Sequence, residues 1–197
     1  MSSGPSLRRM YAENTRRVLV DTGLRAFVEQ GFAAVSAEEL VRAAGLSRGA
    51  LYHHFGGKRG LFEAVFEDQQ RHARDRVEAR VRADHDLLEQ LLAGMDTFLD
   101  ICGERDYREI VLVQGPVALG WQRWRELDRQ QFHGLLLASA TRMIDAGLLP
   151  GDIRPDLHAA GLYGMLTEMS FTIADADDPV RARQEAGRCL RRAVSAG

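Results

Sequence analysis

Apolar residues recur along this chain at three- and four-residue intervals almost from end to end. That is the period of a helix with one buried face. Leu19, Val20, Leu24, Phe27 and Val28 form the first such stripe and predict a helix from about Glu13 to Gln30, stopped by Gly31. Leu40, Val41 and Ala44 mark a short second helix, and Leu51 with Phe55 a short third one. Phe62, Val65 and Phe66 begin a charged helix that runs through QQRHARDRVEARVRA, with Asp84-His85-Asp86 as the next break. His72, alone on that charged helix, reads as surface. Leu87, Leu88, Leu91, Leu92, Met95, Phe98, Leu99 and Cys102 then repeat on one face, and residues 103–106 end that helix. The apolar run in REIVLVQGPVALG has no strand to pair with, so it predicts a short buried helix ending near Gly115-Pro116. A long helix from Trp121 to Ala146 carries Trp121, Trp124, Leu127, Phe132, Leu136 and Met143, and Gly147 closes it. Two more helices span about Pro155 to Ala174 and Pro179 to Ser195. The fold class is all-α, with about nine helices.

The stretch SAEELVRAAGLSRGALYHHFGGK, from Ser36 to Lys58, has the grammar of two helices joined by a tight turn. Ser36 is an N-cap with Glu39 three residues on, which makes a capping box. Gly45 suits the left-handed stop of the first helix, Leu46 plugs the corner, and Ser47 caps the next helix. A helical pair joined by a short turn containing Gly is a helix-turn-helix. In its second helix Leu51 and Phe55 dock inward and leave Arg48, Gly49, Ala50, Tyr52 and His53 outward. Two small residues there let the backbone approach a partner closely, as a helix in a DNA major groove must. Arg48 can grip guanine in bidentate fashion, and Gly49, Ala50 and His53 would shape that contact. Tyr52, Ser36, Ser47 and Lys58, the only lysine in the chain, are candidates for phosphates. His54 is expected to pack against the first helix. Arg8 and Arg9, with Arg16 and Arg17, could reach phosphates or a minor groove.

These residues resemble the DNA-binding segment of the TetR family of bacterial transcriptional regulators. The similarity covers Thr15 to about Val65: TRRVLVDTGLRAFVEQGF, then the stretch above, then RGLFEAV. It is carried by Phe27, Gly31-Phe32, Ala43-Ala44-Gly45, Leu51-Tyr52, Phe55 and Lys58. Gly23 departs from the family's usual alanine, at about 1 kcal/mol of helix propensity, and would allow close packing on the second helix. The resemblance implies a nine-helix chain whose last two helices pair with their copies in a second subunit as a four-helix bundle. GPVALGWQRWRELD also looks like one branch of the family's variable C-terminal domains. The expected division is a helix-turn-helix DNA-binding unit over 1–57 and a helical ligand-binding and dimerisation domain over 58–197.

Composition sharpens this picture. Residues 1–60 hold 9 Lys and Arg against 5 Asp and Glu, giving +4, and the rest of the chain carries −6. A basic end on an acidic body points to local contact with nucleic acid. No apolar run approaches the roughly 18 residues of a membrane span, and MSSGPSLRRMYAENTRR has no secretory core, so a cytoplasmic protein is expected. Cys102 and Cys189 fit no metal or redox spacing and are expected to be buried, with a redox pair as the unsupported alternative. No catalytic motif and no metal or cofactor motif is present, so catalysis is not expected.

The expected function is a repressor released from a palindromic operator when a small molecule enters the helical body. Candidate pocket residues are Met95, Phe98, Leu99, Cys102, Val113, Trp121, Trp124, Phe132, Tyr163, Glu168 and Met169. Only about half of such a stripe should line a cavity. Glu168, set among Met165, Leu166, Met169 and Phe171, is the candidate for a cationic ligand; pairing with an arginine or a place on a wet face is the commoner situation of such a residue. The alternatives are a DNA-binding regulator without a ligand, and a helical small-molecule-binding or enzymatic module.

Overall fold

The computed structural model describes residues 7–81 and 86–195. Residues 84 and 85 of the expected break and the side chain of Arg8 lie outside the described residues. Among the described residues there is no strand, and nine helices form once three abutting pieces are taken together. They are α1 (Leu7–Gln30), α2 (Ala37–Ala43), α3 (Arg48–Phe55), α4 (Lys58–Val81), α5 (Leu87–Cys102), α6 (105–119), α7 (Trp121–Asp145), α8 (Pro155–Ala174) and α9 (Pro179–Ser195). No helix among them is long and apolar enough to cross a membrane.

α1 begins at Leu7, six residues before the expected Glu13. Residues 9–12 of the added stretch are exposed, so periodicity could not signal them. The capping box forms as expected. Ser36 Oγ accepts from the Glu39 amide at 3.2 Å, and Glu39 returns the bond to the Ser36 amide at 2.7 Å. That bond, together with the Ser36 side chain, draws the Glu39 carboxyl below its ordinary value. Phe27, Phe32 and Phe62 stack edge to face, with ring centres 5.0–5.9 Å apart, and lock α1 to α4. Gly23 does permit a close approach, but against α4 rather than α2. A Cβ there would sit 3.2 Å from Val65 and 3.3 Å from Leu61.

α6 corrects the expected stop at Gly115-Pro116. The helix runs through it as an α turn (Arg105–Tyr107), a wide-turned π stretch (Arg108–Gln114) and a second α piece (Gly115–Leu119). Pro116 falls in the first turn of the last piece, where its missing N–H costs nothing. Gly115 is required by packing, since a Cβ would lie 2.8 Å from the Trp124 ring and 3.1 Å from Phe66. The Trp124 indole N–H donates to the Val111 carbonyl in the π stretch at 2.7 Å. Wide turns of this kind occur mostly at functional places in helices.

α4 joins the two halves of the molecule. Its first turns bury Leu61, Phe62 and Val65 beside α1, and its last turns bury Ala73 and Val77 in the body. The 24 residues make a rod about 36 Å long. α9 is held to α5 by charge. Arg183 reaches Asp100 at 2.7 Å and Asp96 at 3.2 Å, and Arg191 also pairs with Asp96. Cys102 is buried as expected, but Cys189 is exposed on α9, whose inward face is taken by Leu190.

Candidate functional site

Two parts of the molecule carry candidate chemistry, the outer face of α3 and a cavity in the body. On α3, Ser47 Oγ accepts from the Ala50 amide at 3.2 Å, and Leu51 is fully buried. Arg48, Gly49, Tyr52 and His53 are exposed, and Ala50 is half-buried. Ser47 is exposed and Ser36 half-buried, each at a helix N-terminus.

Arg48 does not stand free. Its guanidinium pairs with Glu38 of α2 at 2.7 Å, donates to the Tyr52 hydroxyl at 3.4 Å and lies over the Tyr52 ring at 5.4 Å. Glu38 and Tyr52 thus hold it on the outer face. Lys58, expected to offer its charge to a phosphate, is half-buried. Its ammonium donates to the carbonyls of Phe32 at 2.7 Å and Val35 at 2.8 Å, and sits 4.4 Å from the Phe32 ring centre. One of its three N–H groups is left over. His54 is half-buried, with its ring 5.1 Å from His53 and 6.1 Å from Phe55. Arg16 lies over the Phe55 ring at 5.5 Å, while Arg9 reaches Glu13 at 3.9 Å and Arg17 is exposed.

The cavity lies between α4, α5, α7 and α8 and opens to solvent, with a free volume of about 50 Å³. Met95, Phe98, Phe132 and Tyr163 of the expected set line it, joined by Val77, Val81, Leu135 and Leu136. Among the described lining residues the one ionisable acid is Asp128, which is 5% exposed. Asp128 Oδ1 accepts from the Gln70 amide at 2.7 Å, and Oδ2 from the Tyr163 hydroxyl at 2.6 Å. Tyr107 donates in turn to Gln70 Oε1 at 3.1 Å. One network therefore joins α4, α6, α7 and α8 at the cavity wall. Burial pushes the Asp128 carboxyl above its ordinary range, against the lowering pull of Tyr163 and Gln70. Burial also raises Tyr107 and Tyr163, so both phenols keep their protons.

Side chains also bridge the body and the α3 unit. Gln114, the last residue of the π stretch, accepts from the Phe32 amide at 2.8 Å and donates to the Phe27 carbonyl at 3.0 Å. Arg59 donates to the Leu119 carbonyl at 2.8 Å, and Arg123 on α7 bonds Glu63 on α4 at 3.1 Å.

Residues 19–65 match the family described as bacterial regulatory proteins, tetR family, and residues 88–196 match the tetracyclin repressor-like C-terminal domain. The chain belongs to the TetR family. The regulator SrpR of Pseudomonas putida is 41% identical over 59 residues, which is 30% of this chain and 28% of that protein. The match thus spans less than a third of SrpR's own length. UidR of Escherichia coli is 24% identical over 177 residues, covering 88% of this chain and 87% of that protein. A TetR-family regulator from Pectobacterium atrosepticum superposes with a TM-score of 0.82 at 29% identity, over 93% of each chain. FadR of Bacillus subtilis, solved with stearoyl-CoA, superposes at 0.76 with 16% identity, over 91% of this chain and 97% of that one. It shares the fold alone.

Seven of the expected pocket residues lie elsewhere in this TetR-family body. Leu99 and Cys102 are sealed in the core, and burial drives the Cys102 thiol well up. Val113 is 44% exposed. Trp121 is half-exposed and stacks on buried Trp124 with ring centres 5.0 Å apart. Met169 is half-buried away from the cavity lining, and Glu168 is exposed. Glu168 follows Gly161 and Gly164 along the outer stripe of α8, so its apolar sequence neighbours point to other sides of the helix. The acid at the cavity wall is Asp128. Trp124, Asp128 and Phe132 are spaced four apart, which puts a carboxylate on a buried stripe. Gln70 and Gln114 gave no comparable signal.

Proposed function

We propose that the protein is a transcriptional regulator that binds a palindromic operator as a homodimer through α3, and that a small molecule in the cavity releases it. α4 carries this reading. One continuous helix holds the Lys58 clasp and the α1 contacts at one end and lines the cavity with Val77 and Val81 at the other. A molecule that fits one setting of α4 better than another must shift the placement of the two α3 helices.

Arg48 is the base reader, with Gly49, Ala50 and His53 shaping the contact. Tyr52, Ser36 and Ser47 hold phosphates, and Lys58 offers its remaining N–H while keeping the frame rigid. Residues 1–57 act as the DNA-binding unit and 58–197 as the ligand-binding and dimerisation body, in the cytoplasm where the DNA lies. The second subunit covers the outer stripe of α8, where Leu157, Ala160, Gly161 and Gly164 are exposed, together with the exposed side of α9. Small residues let paired helices approach closely.

Selection of bound genomic fragments by the wild type and by Arg48→Ala tests the reading. The wild type should enrich a palindrome with half-sites about 34–36 Å apart or slightly more. Arg48→Ala should lose preference at one base pair in each half-site. Enrichment of the same sequence by both proteins would remove Arg48 from base reading, and no enriched sequence at all would sink the proposal.

A further inference from the structure

We propose that the cavity selects a small apolar molecule bearing one cationic nitrogen, and that Asp128 is the residue that pairs with it. This rests on the reading of the cavity as an effector site and names the chemistry of its ligand. Gln70 turns its oxygen to the Tyr107 hydroxyl, which donates to it, and its N–H to Asp128. Each oxygen of Asp128 thus meets its own donor, the arrangement that suits a carboxylate anion. Both donors are neutral. None of the described side chains lining the cavity is Arg, Lys or His, and the other polar groups there are Ser139, Thr167 and Tyr163. Arg125, on the same helix, lowers the carboxyl through space but is itself exposed.

A buried anion with hydrogen bonds but no cationic partner among the described lining residues is a costly thing to keep. A ligand ammonium would supply the missing charge and use the lone pairs still free on Oδ1 and Oδ2. A ligand carboxylate would meet like charge in a poorly screened site. The rest of the lining, Val77, Val81, Leu91, Met95, Phe98 and Phe132, suits an alkyl or aromatic body. The same carboxylate holds Gln70 on α4, so pairing with it pulls directly on the helix that carries the α3 unit.

Three probes with one carbon skeleton separate the possibilities: n-octylamine, n-octanol and octanoate, titrated calorimetrically into the full-length protein at pH 7.5. Octylamine should bind about tenfold or more tightly than octanol, as a charge-assisted bond implies, and octanoate should be weakest. In Asp128→Asn the amine preference should fall to about twofold or less with octanol binding retained. The wild-type ranking tests the ligand class without any variant. Leu135→Trp, at a half-buried lining position, fills the cavity and should abolish octylamine binding. Octanol or octanoate matching octylamine, an amine preference that survives Asp128→Asn, or octylamine binding untouched by Leu135→Trp would each overturn the proposal. Anisotropy of labelled operator DNA is followed in parallel. Octylamine bound with the DNA still held would leave the site assignment standing and refute release by the cavity ligand.

Discussion

Replacing Lys58 by methionine keeps the aliphatic stem and removes the ammonium, which isolates what that charge does. In the wild type it donates to two carbonyls, Phe32 at 2.7 Å and Val35 at 2.8 Å, both in the connection between α1 and α2. A hydrogen bond to a charged group contributes about 1.5–3 kcal/mol net when buried. The site is half-buried, so water recovers part of the loss, and the contact with the Phe32 ring adds about 0.5 kcal/mol. The expected cost is about 2–3 kcal/mol, which for a chain of this size lowers Tm by about 5–10 °C. Thermal unfolding followed by circular dichroism measures it, with urea unfolding as the check. Lys58→Arg should recover only part of the loss, since a planar fork fits two carbonyls of one bend less well than an ammonium. A Tm within about 1 °C of wild type in Lys58→Met, beside a DNA affinity whose salt dependence has fallen by about one contact per subunit, would refute the clasp. The ammonium would then serve phosphate alone.

Other consequences follow from the same contacts. Gln114→Leu removes both bonds between the π stretch and the end of α1, and should lower stability by about 1–2 kcal/mol. It should also blunt ligand-driven release of DNA, read as a smaller shift in operator affinity at saturating ligand; an unchanged shift would take Gln114 out of the coupling. Glu38→Gln frees Arg48 from its ion pair and should tighten operator binding by up to about fivefold, the scale of an exposed pair, whereas weaker binding would mean that Glu38 positions Arg48 productively. The Asp128 carboxyl is held above its ordinary 3.8 by burial, so protonation favours the fold. Its contribution is complete below that ordinary value and is lost as pH rises through the raised one. Asp128→Asn, always neutral, should therefore gain on the wild type as pH rises through that window, and a Tm difference that stays flat with pH would contradict this.

The helix-turn-helix was legible because caps, stops and buried positions all fall in local sequence. Ser36 with Glu39, Gly45, and Leu51 each act within a few residues of their partners. The end of α1 at Gln30 and the limits of α3 are as expected for the same reason. What escaped depends on distance along the chain. The packing that requires Gly115 comes from Trp124 and Phe66, which are distant in sequence, and no local pattern announces the wide turn before it. The pocket stripe separated inward from outward faces on α5, where Met95 and Phe98 line the cavity. It could not say which inward residues face empty space, so Leu99 and Cys102 were grouped with them. Glu168 lies on the wet face, and its apolar neighbours in sequence arise because α8 packs on more than one side. The role of Lys58 was half-legible. Its singularity in the chain marked it, but its partners Phe32 and Val35 lie more than twenty residues away.

The most direct test of the account is the anisotropy of a labelled genomic fragment recovered by selection, titrated with the wild type at several salt concentrations beside a scrambled duplex of equal length. The account predicts saturable binding at least about a thousandfold tighter to the selected palindrome than to the scramble, weakening steeply with salt. Arg48→Ala should lose most of that difference while keeping the salt dependence. Equal, weak binding to both duplexes would contradict the central claim, that α3 is an operator-reading helix.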